Sequence, residues 1–383
     1  MKDINQIFSM TDDYIGDILR RASPEYPVWN QEMIRHNSKT SWTYVDGCMM
    51  TAFMNLYDFT AEQKYLEFCD RFIDYFVRED GSILSYNRDE YNLDLIKEGS
   101  VLFKLYDYTG KEKYRRAMDT LYGQLKVQPR TTEGNFWHKQ IYPHQIWLDG
   151  LYMAQPFYLE YEKRYNGKRN YKDILCQFQT VSALMKDKVS GLYYHAYDSS
   201  KKMFWCDPVS GLSPHFWLRA IGWYVMALVD ILEILNQEED KEFYSFMSRE
   251  FSELLESLLS YQEKSGMWYQ LVDKGGHKGN YLETSGTAIL SYAVLKAVFM
   301  GVLPESFYSA GRKAFLGICE KYLHRDKQGV LTLGGICLVA GLGGEQKRDG
   351  SFDYYMSEPV VENEAKGIAP FLLAYIYLKE LNK

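Results

Sequence analysis

Apolar residues recur along this chain at helical spacing, in blocks that come in pairs, and the pairs repeat. The run WTYVDGCMMTAFMNLYD (42–58) leads into TAEQKYLEFCDRFIDYFV (60–77), and EDGSILSY closes that unit. LDLIKEGSVLFKLYDYTG then precedes KEKYRRAMDTLYGQL and ends in TEGNFWHK. WLDGLYMAQPFYLEYEKRY precedes YKDILCQFQTVSALM and ends in SGLYYHAYD. A fourth unit begins at FWLRAIGWYVMALVDILEIL and a fifth at TSGTAILSYAVLKAVFM, each followed by a second helical block and a Gly-aromatic turn. The last unit shows one clear helix, NEAKGIAPFLLAYIYLKEL, whose expected partner is the N-terminal segment 4–22. A glycine lies near the start of each first helix, where a close approach would favour it.

Six helix pairs whose ends meet predict an all-α closed ring, an (α/α)6 barrel or six-hairpin toroid, with short β-hairpins in the connecting loops. An open array would need polar capping repeats, and the terminal units carry none. No linker or low-complexity stretch divides the chain, so residues 1–383 are expected to form one catalytic domain. In such a ring the first helices line the inside, and the loops at their N-terminal ends form one mouth. Trp42, Tyr44, Asp94, Asp149, Arg219 and Glu362 all fall at or just before those starts.

Composition narrows the function classes. The net charge of −7 argues against nucleic acid as a partner. No apolar run reaches the roughly twenty residues that span a bilayer, so no membrane partner is expected. The N-terminus MKDINQIFSMTDDYIGDILRR lacks an apolar signal core, and the six cysteines form no CxxC pair. Both point to a cytoplasmic protein with reduced thiols. Tyrosine and tryptophan, at 33 and 8 residues, suit a wet aromatic cavity such as a sugar site.

Several chemistries are excluded at motif level: HExxH, GxxxxGK[ST] and GxSxG are all absent, and no histidine pair has metal-ligand spacing. The densest candidate region is PRTTEGNFWHKQIYPHQIWLDGLYMAQPF (129–157), which surrounds Asp149 with aromatic residues and two histidines. Asp149, in the first turn of an apolar helix, can cap backbone N–H groups or be held in a poorly solvated pocket for chemistry. Asp94, His195 in LYYHAYD, and Arg219 with Trp223 in FWLRAIGWY are further polar or aromatic candidates at the same mouth.

That region, together with FWLRAIGWYVMALVD and the C-terminal GGICLVAGLGG and RDGSFDYYMSEPVVENEAKGIAPFLLA, resembles the unsaturated rhamnogalacturonyl hydrolases of glycoside hydrolase family 105. The resemblance covers the chain from WTYVDG onwards. TAEQ at 60–63 and His215 before FWLRA depart from the family's pattern. The resemblance implies an (α/α)6 barrel with Asp149 as the catalytic aspartate and Asp94 as a second active-site aspartate. It implies polar contacts to a uronate from His195 and Arg219, and an apolar wall from Trp223. Trp147, Tyr44 and Trp42 are expected as aromatic neighbours, and His138, Lys139 and the loop 348–358 as the border of the aglycone subsite. The substrate it implies is an oligosaccharide whose non-reducing end is a 4,5-unsaturated uronate left by a lyase.

The C4=C5 bond of such a sugar is a vinyl ether, so protonating C4 makes C5 oxocarbenium-like and water adds there. One group must give the first proton and then accept one from water, and the chemistry needs no metal or organic cofactor. A carboxylic acid among apolar rings keeps its proton more readily than one in water, and Trp147 and Tyr152 would supply that setting. Hydrolysis of a glucuronyl-type unsaturated uronide, sugar epimerisation and a non-catalytic helical scaffold are the competing expectations. An epimerase would carry its histidines on inner helices, and a scaffold would leave the Asp94, Asp149 and Arg219 set without a role.

Overall fold

Two kinds of helix build this molecule, and their burial patterns show where each one goes. The computed structural model describes residues 3–383. Its helices are α1 (Ile4–Arg21), α2 (Gln31–His36), α3 (Tyr44–Thr60), α4 (Gln63–Phe76), α5 (Asp94–Lys97), α6 (Val101–Thr109) and α7 (Glu112–Leu125). They continue with α8 (Leu148–Tyr165), α9 (Tyr171–Met185), α10 (Leu218–Ile234), α11 (Lys241–Leu259), α12 (Thr284–Phe299), α13 (Tyr308–Tyr322), α14 (Phe352–Ser357) and α15 (Ala365–Leu381). In α4 the buried residues are Tyr65, Leu66, Phe68, Cys69, Phe72, Ile73 and Phe76, a single stripe at 3.6-residue spacing. In α10, α12 and α15 burial runs almost all the way round. A helix apolar on every face must be surrounded, so these form the inner layer and the striped helices cover them.

The inner helices pack in sequence order: α3 on α5 and α6, α5 on α8, α8 on α10, α10 on α12, α12 on α15, and α15 back on α3. That last contact closes an (α/α)6 barrel, the architecture expected from the repeat. The outer layer is α4, α7, α9, α11 and α13, each against its own inner partner, with α1 against α15. The N-terminal helix therefore completes the final pair. Tyr14 Oη donates to Asn363 Oδ1 at 2.6 Å and Tyr375 Oη to Asp12 Oδ1 at 2.6 Å across that junction.

The second inner helix is not continuous. A 3-10 turn, Glu98–Ser100, separates α5 from α6. Backbones meet there: a Cβ on Gly47 of α3 would lie 2.4 Å from Glu98 Cα. Short β-elements sit in the loops. β1 (Gln145–Trp147) pairs antiparallel with β2 (Ala196–Asp198) in the register Trp147↔Ala196. β3 (Leu323–Arg325) pairs with β4 (Leu331–Leu333), and β5 (Ile336–Cys337) with β6 (Val360–Val361). Among the described residues no helix is long and apolar enough to cross a membrane.

Candidate active site

The mouth at the N-terminal ends of α3, α5 and α8 holds a cavity of about 460 Å³. Its wall comes from α2 and the segment after it (Glu32, His36, Lys39), the start of α3 (Tyr44), Asp94, the 138–153 stretch and the loop residues 339–341 and 348. Asp149, Asp94, Trp147, Tyr44, His138 and Lys139 all line it.

Asp149 is the second residue of α8, and the ribbon β1–β2 fixes what lies behind it. Register Trp147↔Ala196 places Leu148 N–H on His195 O at 3.1 Å, which sets the His195 side chain beside Asp149. His195 Nε2 lies 3.4 Å from Asp149 Oδ2. Oδ2 is buried and takes no hydrogen bond, and the helix start has no side-chain cap. Asp149 therefore does not act as a helix cap; the helix presents its carboxyl to the cavity. Trp147 stacks on His138 (ring centroids 4.7 Å, 15°) and on Tyr142 (4.8 Å, 19°), giving the cavity one aromatic wall.

Asp94 opens α5, and its carboxylate too leaves the helix backbone alone, because Asn92 Oδ1 takes the Asp94 N–H at 3.0 Å. Instead Asp94 Oδ2 meets Lys139 Nζ at 2.6 Å, and Oδ1 lies 3.6 Å from His138 Nε2. His138 and Lys139 reach this point because the 138–145 segment folds back on itself. His138 N–H donates to Gln145 O at 3.0 Å, and Leu93 N–H to His138 O at 3.1 Å. Gly150 leaves room for the ring, since a Cβ there would stand 3.1 Å from His138 Nδ1.

The electrostatics follow from burial and this pairing. Burial pushes the Asp94 carboxyl up, but the Lys139 ammonium and His138 outweigh it, so Asp94 titrates below the usual carboxylate range. Burial pulls Lys139 down, and Asp94 more than reverses that. His138 is pushed down to about 4 by burial, only partly opposed by Asp94, so it is neutral near pH 7. Asp94 and Lys139 are thus a fixed ion pair, and Asp149 is the carboxyl whose buried oxygen lacks a hydrogen-bond donor.

Five expected contacts lie elsewhere. Arg219 is fully buried, and its guanidinium serves the backbone: it donates to Cys337 O, to Ser285 Oγ at 3.2 Å and to Leu338 O at 3.4 Å. It braces the segment that leads into the wall residues 339–341 and does not itself face the cavity. Trp223 is buried in a stack with Tyr152 (5.1 Å, 8°), one full helical turn below the mouth. Tyr152, in that stack, lines a second cavity at the other end of the barrel and not the one that Asp149 faces. Trp42 is buried with its Nε1 on Leu95 O at 2.7 Å. His195 is buried as well, behind Asp149 and against the Trp147 ring, and does not line the cavity.

Wall residues outside the sequence expectations include Glu32, His36, Lys39 and Tyr142, and Arg348 except as part of a loop. Arg348 donates to Tyr142 Oη at 2.9 Å and has no carboxylate within ion-pair reach among the described residues. Half-buried Arg348 and exposed Lys39 are therefore the cavity's unpaired cations among those residues. The sequence signal for Arg348 is its place at the head of the family-like block RDGSFDYY, which marks the loop and not the facing of its guanidinium.

Comparison with known proteins gives this arrangement relatives. The family model for Glycosyl Hydrolase Family 88 matches residues 21–381. A solved glycoside hydrolase from family 105 of C. acetobutylicum is 42% identical, covers 97% of this chain and 99% of its own, and superposes with a TM-score of 0.89. The unsaturated rhamnogalacturonyl hydrolase YesR of Bacillus subtilis is 25% identical over 287 residues, 73% of this chain and 77% of that protein. The unsaturated glucuronyl hydrolase of Bacillus sp. GL1 shares the fold at 14% identity, with a TM-score of 0.66 over 96% of this chain and 97% of that one.

Proposed function

Because the chain belongs to the glycoside hydrolases of families 88 and 105, we propose that it releases a 4,5-unsaturated uronate, most simply unsaturated galacturonate, from lyase-generated rhamnogalacturonan oligosaccharides. The YesR relative, an unsaturated rhamnogalacturonyl hydrolase by name, supports that choice of substrate. A cavity of about 460 Å³ suits a disaccharide end, within the roughly 300–1,000 Å³ of small-molecule sites. A reducing cytoplasm would keep the six free cysteines, exposed Cys176 among them, as thiols.

The observation that supports the mechanism is the carboxyl of Asp149, aimed into the cavity with its inner oxygen left for His195 alone. In this reading Asp149 gives its proton to C4, and positive charge develops on C5 and the ring oxygen. Water adds to C5 as the Asp149 carboxylate takes one of its protons. The C5 hemiketal opens to a ketone, which leaves a hemiacetal at C1, and its collapse to the aldehyde frees the aglycone hydroxyl. One water is consumed and Asp149 ends as it began. Asp94, held ionised by Lys139, orients sugar hydroxyls as an acceptor. Arg348 and Lys39 are the cations free to meet the uronate carboxylate, the role first expected of Arg219.

The test is Asp149→Asn, which keeps the shape but removes the transferable proton. The variant should fold, bind the unsaturated disaccharide and lose at least about a hundredfold in kcat, the lower end for general acid–base catalysis. Loss of absorbance from the conjugated C4=C5 acid follows turnover, with lyase digests of rhamnogalacturonan, galacturonan and glycosaminoglycan run in parallel. Turnover of the saturated disaccharide, or retained activity in Asp149→Asn, would refute the reading.

A further inference from the structure

Behind Asp149 lies a polar chain that the reaction as written does not use. Tyr355, in α14, is fully buried, and its Oη stands 2.8 Å from His195 Nδ1, a residue 160 positions earlier in the chain. Among the described residues the hydroxyl has no other hydrogen-bond partner. Burial holds the Tyr355 phenol well above the usual tyrosine range, so it remains a donor. His195 is itself fully buried between the rings of Trp147 (5.4 Å, 70°) and Trp217 (4.7 Å, 47°). Its orientation is therefore set by packing, and its tautomer by whatever meets Nδ1.

We propose that Tyr355 is a positioning residue: its hydroxyl donates to Nδ1 of His195, which holds the imidazole as the Nε2–H tautomer aimed at Oδ2 of Asp149. This rests on the reading of Asp149 as acid and base. The geometry then distinguishes the two carboxyl oxygens. Oδ2 and His195 Nε2 are both buried, 3.4 Å apart and without another partner, so on this tautomer Oδ2 faces the N–H and the transferable proton sits on Oδ1, the oxygen toward the cavity. As that proton leaves for C4, charge builds on the carboxylate, and a donor already aimed at it stabilises the transition state more than the ground state. The other tautomer would turn a lone pair of Nε2 toward Oδ2 and draw the acid proton to the buried side, away from substrate. The other titratable groups facing this pair are His138 from the 138–145 turn, His215 before α10, Cys337 in β5, and Tyr354 and Glu358 around α14.

The tautomer is measurable without any substrate. In the intact protein labelled with 15N-histidine, the resonance pair lost in His195→Gln identifies residue 195, and its shifts should report Nε2–H at neutral pH. Tyr355→Phe should convert that signal to a mixture of tautomers. In kinetics Tyr355→Phe should lower kcat by about tenfold to a hundredfold, the usual weight of one hydrogen bond to a charged group, with KM changed less than about twofold. In a His195→Gln background, where no tautomer needs fixing, the same substitution should change kcat by less than about twofold. An Nδ1–H or doubly protonated imidazole in the wild type would overturn the proposal, whatever Tyr355→Phe does. Full kcat in Tyr355→Phe alongside an inactive Asp149→Asn would also overturn it while leaving the proposed function standing. An active Asp149→Asn would instead remove the catalytic assignment, and the tautomer would still stand or fall on the nitrogen shifts.

Discussion

At the scale of single residues the site separates two carboxyls by what surrounds them. Asp94 has a lysine at 2.6 Å, whereas Asp149 has an imidazole at 3.4 Å and open cavity in front. That difference makes a pH prediction. Lys139→Met removes the charge that outweighs burial at Asp94, so the Asp94 carboxyl moves up from its depressed position. If activity needs ionised Asp94, the acidic limb of kcat/KM against pH shifts to higher pH in the variant, while activity well above the limb changes less. An unmoved acidic limb would show that the ionisation of Asp94 is not what the rate depends on. Both aspartates were legible in the sequence because each opens an inner helix at the mouth of the ring. The facing of their neighbours was not. Arg219 and Trp223 lie on the same inner helix, but the register of α10 turns one into the backbone of residues 337–338 and the other into a stack with Tyr152. Tyr355 escapes a sequence reading for a different reason: its partner is 160 residues away, and nothing local marks the contact.

At the scale of elements one close joint is between α3 and the turn Glu98–Ser100, where Gly47 lets the backbones touch. Two carboxyls are sealed into that joint. Asp46 Oδ1 accepts from Trp29 Nε1 at 2.6 Å and Glu98 Oε2 from Thr43 N–H at 2.5 Å, while Asp46 Oδ2 and Glu98 Oε1 are buried without partners. Burial raises both well above the ordinary carboxylate range, with Glu364 adding to it at Asp46 and Asp46 adding to it at Glu98. The unfolded chain ionises both groups near pH 4, whereas the folded protein keeps a proton there, so stability falls as pH rises above that value. Asp46→Asn keeps an acceptor for Trp29 and has no proton to lose. It should therefore be more stable than wild type by about 1 kcal/mol or more at pH 8, with a smaller gain at pH 5, since a tenfold difference in proton affinity between folded and unfolded chain is worth ~1.4 kcal/mol. Urea unfolding at the two pH values checks it, and an equal gain at both would mean that ionisation at this joint costs nothing. The paired helices themselves were visible in the sequence, since amphipathic outer helices alternate with inner ones buried all round. The break between α5 and α6 was not, because it depends on a neighbour's backbone.

At the scale of the whole molecule the question is what closing the ring does for stability. In an open helical array each unit touches only its neighbours, and the ends can unravel first. Here α15 packs on both α12 and α3, and α1, from the other end of the chain, covers it. The cavity wall crosses the same seam, with Ala365 N–H on Trp29 O at 2.9 Å and Lys366 Nζ on Glu32 Oε1 at 2.6 Å. The buried stripe of α1 includes Ile7, Tyr14, Ile15 and Ile18. At ~1.5–3 kcal/mol for each side chain of this size, that stripe matters about as much as the ~5–15 kcal/mol net stability of a typical protein. Chains of this length often unfold in steps, but a ring has no end from which to begin. We therefore expect residues 1–383 to behave as one folding unit, with a single calorimetric transition whose van't Hoff and calorimetric enthalpies agree. A chain lacking residues 1–22 should lose that sharp transition and, with the seam open, its turnover of unsaturated disaccharide. Two resolved transitions in the full-length protein, or a truncated chain that melts as sharply and works as well, would show that the barrel does not depend on its closure.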